Sequence, residues 1–190
     1  MFVLSSFQVS QQTVELVLPE QKYAKKLFEI IEVDRKPLSM WMPWVKITKS
    51  EKNEIDFINY AREKTAKYQL LELTIIVDNQ PIGMIDLHNI DRNDHRAEVG
   101  YWMFSKYQGK GIMTEALKHL LNIAFNELSL NKIIVMADSE NQKSKAIPRR
   151  LGFRQEGTLK EEIFMNSQFR NLDIFAITVG EYKNKSNQLK

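Results

Sequence analysis

The chain has 190 residues, of which 43% are hydrophobic and 27% are charged, and it carries a net charge of +3. This length and composition fit one ordinary globular domain and exclude disordered and fibrous proteins. The mild positive balance predicts neither a nucleic acid nor a membrane as a direct partner, and the absence of cysteine excludes thiol nucleophiles, disulfides and a cysteine-ligated metal.

We expect no secretion signal at the N-terminal end of the sequence. Residues 1–12 have a short apolar start but no basic leader, no sustained apolar core and no cleavage site. Nowhere does the sequence hold the roughly 20 consecutive apolar residues of a membrane-spanning helix, so we expect a cytoplasmic protein. The polar residues 183–190 are predicted to form a disordered tail, which leaves one domain over residues 1–182.

The first third of the sequence predicts one strand followed by two helices. Apolar residues alternate with other residues over positions 14–18, which is typical of a strand, and they recur at helical spacing over positions 24–31. A second helix is predicted to begin after Ser50. The loop between the two helices, around residues 41–44, is predicted to stay irregular.

The rest of the sequence predicts a meander and then alternating helices and strands. The predicted elements are strands at 70–77, 81–89 and 96–104, an amphipathic helix at 113–128, a strand at 133–137, a helix from about 141 to 152, and two final strands from 153 onwards. This order predicts an α/β domain with one mixed sheet of about seven strands and about four helices.

Residues 107–116 join a predicted strand to the amphipathic helix and contain two glycines, Gly109 and Gly111. Glycines let backbone N–H groups approach an anion, and the free N–H groups of a helix start favour negative charge. The segment therefore predicts a phosphate site, to which Lys110 can add a positive charge. Taken alone, the glycine pair is equally well explained as a tight connection, and it matches neither a P-loop nor a dinucleotide-binding fingerprint.

This segment resembles the cofactor loop of the GNAT N-acetyltransferases. Their signature, Gln/Arg-x-x-Gly-x-Gly/Ala, falls on Gln108, Gly111 and Met113, and Met113 departs from it. The form QGKGIMTEAL is similar to that of the RimJ/RimL branch, the ribosomal-protein N-acetyltransferases. Three further segments carry the same resemblance in the same order: WMPW at 41–44, AEVGYWM at 97–103, and Asn141-x-x-Ser144 followed by LGFRQEGTLK at 151–160.

The resemblance implies a GNAT fold, in which a mixed and mostly antiparallel sheet is splayed around acetyl-coenzyme A as co-substrate, with no metal. It implies that the pantetheine arm pairs with the strand backbone near Met103, whose N–H would stabilise the developing oxyanion. The cofactor-binding residues implied in this way are Trp102, Met103, Phe104, Gln108, Gly109, Lys110, Gly111, Ile112, Met113, Thr114, Asn141 and Ser144.

Glu98 is the first candidate for the base that accepts the proton of the acceptor amine. Alternation along the predicted strand puts Glu98 on the same face as Gly100, where a glycine is typical of a close backbone approach or is tolerated for packing. A cross-strand ion pair that fixes the sheet is an equally good interpretation of Glu98. Glu161 and Glu162 are the second-choice candidates for this base. They rank below Glu98 because Ile163 stands where related sequences often carry an acidic residue.

Four other side chains have two interpretations each. By resemblance, the Ser144 hydroxyl would lie near the sulfur and protonate the leaving thiolate, whereas serine and asparagine are also preferred helix caps, so either Ser144 or Asn141 can serve that purpose instead. Trp41 and Trp44 would form a wall of the acceptor groove, or they are core or dimer contacts.

The sequence therefore predicts an acetyl-coenzyme A dependent N-acetyltransferase in which a primary amine attacks the thioester directly, without a covalent enzyme intermediate. The resemblance suggests the α-amine of a protein N-terminus, of the ribosomal-protein type, as the acceptor. The alternatives are a small amine (a polyamine, an aminoglycoside or an amino acid) and a coenzyme A binding module without catalysis. A homodimer is a further hypothesis.

Overall fold

The computed structural model describes residues 1–188, with side chains as far as residue 184, and contains eight strands and six α-helices within that part of the chain. In chain order these are β1 (Val3–Val9), β2 (Gln12–Val17), α1 (Ala24–Val33), α2 (Arg35–Ser39), α3 (Glu51–Ala66), β3 (Leu71–Val77), β4 (Gln80–Asp91), β5 (Arg96–Met103), α4 (Ile112–Asn122), β6 (Lys132–Asp138), α5 (Gln142–Arg150), β7 (Arg154–Met165), β8 (Gln168–Thr178) and α6 (Val179–Gln188).

The strands form one mixed sheet in the order β1-β2-β3-β4-β5-β6-β8-β7. The pairs β1–β2, β2–β3, β3–β4, β6–β8 and β7–β8 are antiparallel, and β5 pairs with β6 in parallel through residues 96–98 and 132–134. The predicted α/β class with a mixed, mostly antiparallel sheet is confirmed. The predicted counts of about seven strands and four helices are each too low.

Three elements account for the difference in count. Strand β1 lies at the edge of the sheet, where it pairs only with β2, and its residues are exposed or half-buried, so no apolar alternation marks it. Helix α2 has only five residues, too few for a helical period. Helix α6 includes residues 183–188 of the predicted tail, whereas residues 189 and 190 lie outside the described residues.

One compact part of the chain consists of Met1–Leu87 and Gly100–Ala116. Its helix α1 buries Leu27 and Ile31 at helical spacing, and β3 is buried at every position. Ser50 precedes α3, as predicted. The loop predicted to be irregular instead contains a 3₁₀ turn at Pro43–Lys46, because the proline sits at the start of the turn, where its fixed φ suits helical geometry.

The second compact part consists of His88–Val99 and the chain from Leu117 to the end of the described residues. Strand β6 buries Ile133 and Val135, as a short apolar strand should. The predicted helix over residues 113–128 is α4 followed by a π-helical turn at Ile123–Glu127. The prediction of one domain over residues 1–182 stays a prediction. Among the described residues, no helix has the length and apolar character that crossing a bilayer requires.

Candidate active site

The connection from β5 to α4 carries the predicted phosphate site. A 3₁₀ turn at Ser105–Tyr107 follows β5, and α4 begins at Ile112. Gly109 and Gly111 have φ of 79° and 84°, in the left-handed region that favours glycine. A Cβ built at either position meets no atom within 4 Å. The backbone conformation, rather than crowding, therefore requires these two glycines, and the space beside them is open.

The start of α4 presents backbone rather than side chains. The Gly111 carbonyl accepts the N–H of Glu115 at 3.1 Å, which is the first intrahelical bond, so the N–H groups before it have no intrahelical acceptor. The side chains of Ile112 and Met113 are buried, and that of Thr114 is half-buried. Met113, the residue that departs from the GNAT signature, thus has its side chain in the core. Only the backbone at that position can face an anion.

Gln108 and Lys110 make contacts within this connection. The Gln108 side chain donates from Nε2 to the Met103 carbonyl at 3.1 Å, which ties the loop to the last residue of β5. Lys110 Nζ lies 5.0 Å from the centre of the Tyr107 ring, a cation–π contact on an exposed side chain. Lys110 is therefore an exposed positive charge next in sequence to the two glycines.

The end of β5 is held closely by β4. The N–H of Phe104 donates to the Ile82 carbonyl at 2.8 Å, although Phe104 itself lies just beyond the strand. A Cβ on Gly83 would lie 2.3 Å from the carbonyl oxygen of Trp102, so only glycine fits there. Sequence reasoning did not single out Gly83. The signal that could have found it is a glycine inside a predicted strand, which is typical of a close backbone approach.

Gly100 makes room for a carboxylate. A Cβ at this position would lie 2.5 Å from Oδ2 of Asp86 on β4. The close backbone approach considered for Gly100 is thus not what the glycine accommodates here; it accommodates the Asp86 side chain. Both residues are half-buried.

Two further acidic residues, both missed by the sequence analysis, belong to the same region as Asp86. Glu72 on β3 is directly opposite Asp86 in the strand register, and Glu54 projects from α3; each is 4% exposed. Burial raises the pKa of Glu54 to about 7. Burial, with added repulsion from Asp86 and Glu54, raises the pKa of Glu72 well above its usual range. For Glu72, the signal available in the sequence was a glutamate inside the apolar run LELTIIV.

Glu98 is engaged with the neighbouring strand. Its carboxylate accepts a hydrogen bond from Nδ2 of Asn89 at 3.1 Å, and Oε2 lies 3.5 Å from Nε2 of His88. The Glu98 side chain keeps 22% of its surface exposed. The cross-strand contacts considered for Glu98 are present, and its carboxylate stays partly exposed.

Asn141 and Ser144 meet at the start of α5. Asn141 is the N-cap, and its Oδ1 accepts the backbone N–H of Ser144 at 3.1 Å. The capping interpretation therefore holds for Asn141, whose Nδ2 is the group that can still donate to a ligand. The cap uses the backbone of Ser144 and not its hydroxyl.

A buried ion pair fixes the same turn. Nζ of Lys145, the residue after Ser144, lies 2.8 Å from the Asp173 carboxylate, and both side chains are 7% exposed. Asp173 also accepts hydrogen bonds from the hydroxyls of Ser139 and Thr158. Because Lys145 directly follows Ser144, its ion pair with Asp173 on β8 also fixes the position of Ser144.

The remaining candidates fall in two places. The Trp44 ring lies 5.7 Å from that of Trp102, against the core, and Trp41 is half-buried. Glu161 and Glu162 are exposed on β7, where the register with β8 shifts between Leu159 and Ile163.

The chain matches a protein-family model along most of its length. The acetyltransferase (GNAT) domain model covers residues 14–154. A Bacillus subtilis (strain 168) protein described as "Putative ribosomal N-acetyltransferase YdaF" is 32% identical over 171 residues, which cover 90% of this chain and 93% of that protein.

Two other proteins are similar to this chain, one in sequence and one in structure. Spermidine N(1)-acetyltransferase of Escherichia coli (strain K12) is 39% identical over 94 residues, half of each chain. The structure of Mycobacterium smegmatis RimJ in complex with CoA-disulfide superposes with a TM-score of 0.88 and 26% identity, covering 93% of this chain and 87% of that one.

Proposed function

Because this chain belongs to the GNAT acetyltransferase family and is an acyltransferase, we propose that it transfers an acetyl group from acetyl-coenzyme A to a primary amine. The observation that carries the proposal is the connection from β5 to α4. There, two glycines with positive φ stand in open space directly before a helix start whose N–H groups lack intrahelical acceptors.

In this proposal the pyrophosphate of the donor lies against residues 108–114. Backbone N–H groups and the helix dipole supply the favourable charge, and Lys110 adds a mobile one. Ile112 and Met113 contribute their N–H groups alone, since their side chains are buried. The contact from Gln108 to the Met103 carbonyl supports the loop conformation.

The pantetheine arm would follow the backbone of Trp102, Met103 and Phe104, with Asn141 donating to it from Nδ2. RimJ of Mycobacterium smegmatis, whose fold this chain shares, carries coenzyme A as the CoA-disulfide. That likeness supports the same class of donor here.

The proposed chemistry is direct transfer. The neutral amine nitrogen attacks the thioester carbonyl carbon, and the oxyanion that develops is stabilised by the N–H of Met103. As the C–N bond forms, the amine loses a proton to Glu98; as the C–S bond breaks, the thiolate takes a proton from Ser144, which regains one from solvent. Glu98 passes its proton to water, a route its partial exposure supports.

The acceptor we propose is the α-amine of a protein N-terminus. The B. subtilis relative described as a ribosomal N-acetyltransferase supports this choice, because it aligns over 90% of the chain. Trp41 and Trp44 would form one wall of the acceptor groove, with the Trp44 ring already packed at a tilt against Trp102. An acceptor of this type would place the reaction in the cytoplasm.

A small polyamine is the second candidate acceptor. It is favoured by the likeness to spermidine N(1)-acetyltransferase over half of the chain, and by the half-buried Asp86 beside Gly100 with the buried Glu72 opposite it in the sheet. The two candidates make opposite predictions for one assay.

That assay measures thiol release from acetyl-coenzyme A in the presence of a peptide with a free N-terminus, the same peptide with a blocked N-terminus, or spermidine. Release with the free peptide alone, together with a mass increase of one acetyl group, is the expected result. Release with spermidine alone would move the acceptor to small amines. No release with any amine, in a protein that binds the donor, would contradict catalysis.

A further inference from the structure

Three acidic residues from three elements form what we call the acid cluster: Glu54 on α3, Glu72 on β3 and Asp86 on β4. Glu72 and Asp86 are directly opposite in the antiparallel register, and such pairs have Cβ atoms about 5 Å apart. Glu54 is close enough to Glu72 to repel its charge. Like charges in this arrangement destabilise the fold unless something compensates them.

The buried polar groups of this region lack partners. The side chains of Glu54 and Glu72 make no hydrogen bond or ion pair with another described residue, although each residue is only 4% exposed. Thr74 shares a face of β3 with Glu72 and lies diagonally from Asp86. Its Oγ1 is fully buried and also has no hydrogen-bond partner in the described residues. Unpaired buried groups of this kind are costly, so a set of them indicates a missing ligand.

The acid cluster reaches the surface at one point. Asp86 and Gly100 are half-buried, whereas Glu72 and Glu54 are buried. Because Gly100 has no side chain, the Asp86 carboxylate extends over the β5 backbone, where a Cβ would come within 2.5 Å of Oδ2. A ligand that approaches this point meets Asp86 first.

The charge of the cluster defines the ligand. Three carboxyl groups and a threonine hydroxyl offer acceptors, and an alkylammonium or guanidinium group offers several N–H donors with a positive charge. Such a cation would offset the repulsion that, together with burial, raises the pKa of Glu72.

We propose that the acid cluster binds an ammonium or guanidinium group of the acceptor, with Asp86 as the first contact, an inference that rests on the proposed function. Gly100 lies three residues before Met103 on β5, which corresponds to roughly 10 Å along the strand. The acceptor class is therefore an amine with a second cation within roughly 10 Å of the nitrogen that is acetylated. A polyamine provides that cation as a second amino group, and a peptide provides it as a basic residue near its N-terminus.

The test compares two matched pairs of acceptors. Spermidine is paired with hexylamine, and a peptide that begins Ser-Lys is paired with one that begins Ser-Gln. The values of kcat/KM are measured for the wild type, for Asp86→Asn and Glu72→Gln, and for Glu63→Gln. Glu63→Gln is the matched control, because it removes an exposed acidic charge from α3, the helix that carries Glu54.

We expect the wild type to prefer the member with the additional cationic group in at least one pair by tenfold or more. The pair that is discriminated identifies whether the second cation belongs to a polyamine or to a peptide. Asp86→Asn and Glu72→Gln should reduce the ratio to twofold or less, and Glu63→Gln should preserve it. Equal kcat/KM within both pairs for the wild type, or a preference that survives Asp86→Asn, would overturn the inference.

A binding measurement separates this inference from the proposed function. Spermidine and the Ser-Lys peptide are tested for an increase in the Tm of the wild type and of each variant, without acetyl-coenzyme A. A shift of several degrees with either probe that is lost in Asp86→Asn supports the cluster as a cation site, even if no acceptor is turned over. No shift with either probe, or an equal shift with Mg²⁺, would contradict it. The Tm of each variant without ligand shows whether it is folded.

Discussion

The Asp34 carboxylate accepts two hydrogen bonds from Ser105, one from the backbone N–H at 2.5 Å and one from the hydroxyl at 2.8 Å. Asp34 directly follows α1 and is buried, and Ser105 begins the turn that leads to the two glycines of the proposed phosphate site. The end of α1 is thus attached to the connection on which donor binding is proposed to depend.

Replacing Asp34 should loosen that connection. In Asp34→Ala the N–H of Ser105 loses its acceptor, so we expect the free energy of unfolding to fall by about 1–3 kcal/mol and acetyl-coenzyme A to bind several-fold more weakly. Ser105→Ala keeps the backbone bond and should lose only about 1 kcal/mol. Urea denaturation and calorimetric titration measure the two effects. Donor affinity equal to the wild type in Asp34→Ala would contradict the link.

Substitutions of Ser144 and of Asn141 should have different effects on catalysis and on stability. Because Asn141 caps α5 through the backbone N–H of Ser144, Ser144→Ala keeps this capping hydrogen bond. If the hydroxyl protonates the thiolate, kcat should fall by about 10²-fold or more. Asn141→Ala should instead lose about 1 kcal/mol of stability. A wild-type kcat in Ser144→Ala would exclude a catalytic role for the Ser144 hydroxyl.

Glu98→Gln tests the proposed proton acceptor. The amide keeps a carbonyl oxygen that can accept the hydrogen bond from Asn89, so the sheet should remain intact. We expect kcat/KM for the acceptor to fall by about 10²–10⁴-fold, with donor affinity unchanged. Full activity in Glu98→Gln, together with a loss in Glu161→Gln or Glu162→Gln, would move the proton acceptor to β7.

Asp173 should make stability depend on acid pH. Burial disfavours its ionised form, but hydrogen bonds from Lys145, Thr158 and Ser139 outweigh this and lower the pKa to about 2. Since that pKa lies below the value of about 4 in an unfolded chain, the carboxylate stabilises the fold above about pH 4, and this stability is lost as the pH falls towards 2.

The contribution is about 2 kcal/mol for a shift of this size. Urea denaturation between pH 6 and 2.5 measures it. Asp173→Asn should be less stable than the wild type at pH 6, because Lys145 is left buried without its partner, and its stability should fall less steeply below pH 4. Parallel pH profiles for the two proteins would contradict this assignment.

Apolar periodicity predicted the elements that bury a face, and it failed where no face is buried. Strands β2 to β6 and helices α1, α3 and α4 were predicted within a few residues, because their apolar residues face a core. Strand β1 at the sheet edge has exposed apolar residues such as Val3, so alternation gave no signal there.

The site could be predicted only where the local sequence determines it. The glycines before α4 were found because their positive φ is a property of the chain itself. The pairing of Glu72 with Asp86 depends instead on the register of β3 against β4, which shifts between Ile75 and Ile76. A one-residue change of register would move every side chain to the other face, so the acid cluster was not visible in the sequence.

The most direct test of the account is calorimetric titration of acetyl-coenzyme A into the wild type and into Gly111→Val. A β-branched residue strains the positive φ at position 111 and fills the open space beside the helix start, so donor affinity should fall at least tenfold while the protein stays folded. Gly157→Ala, at a glycine that also has open space but not a positive φ, is the matched control and should bind as the wild type does. Micromolar binding by the wild type that is lost only in Gly111→Val is the predicted result, and equal affinity in all three proteins would contradict the placement of the donor site.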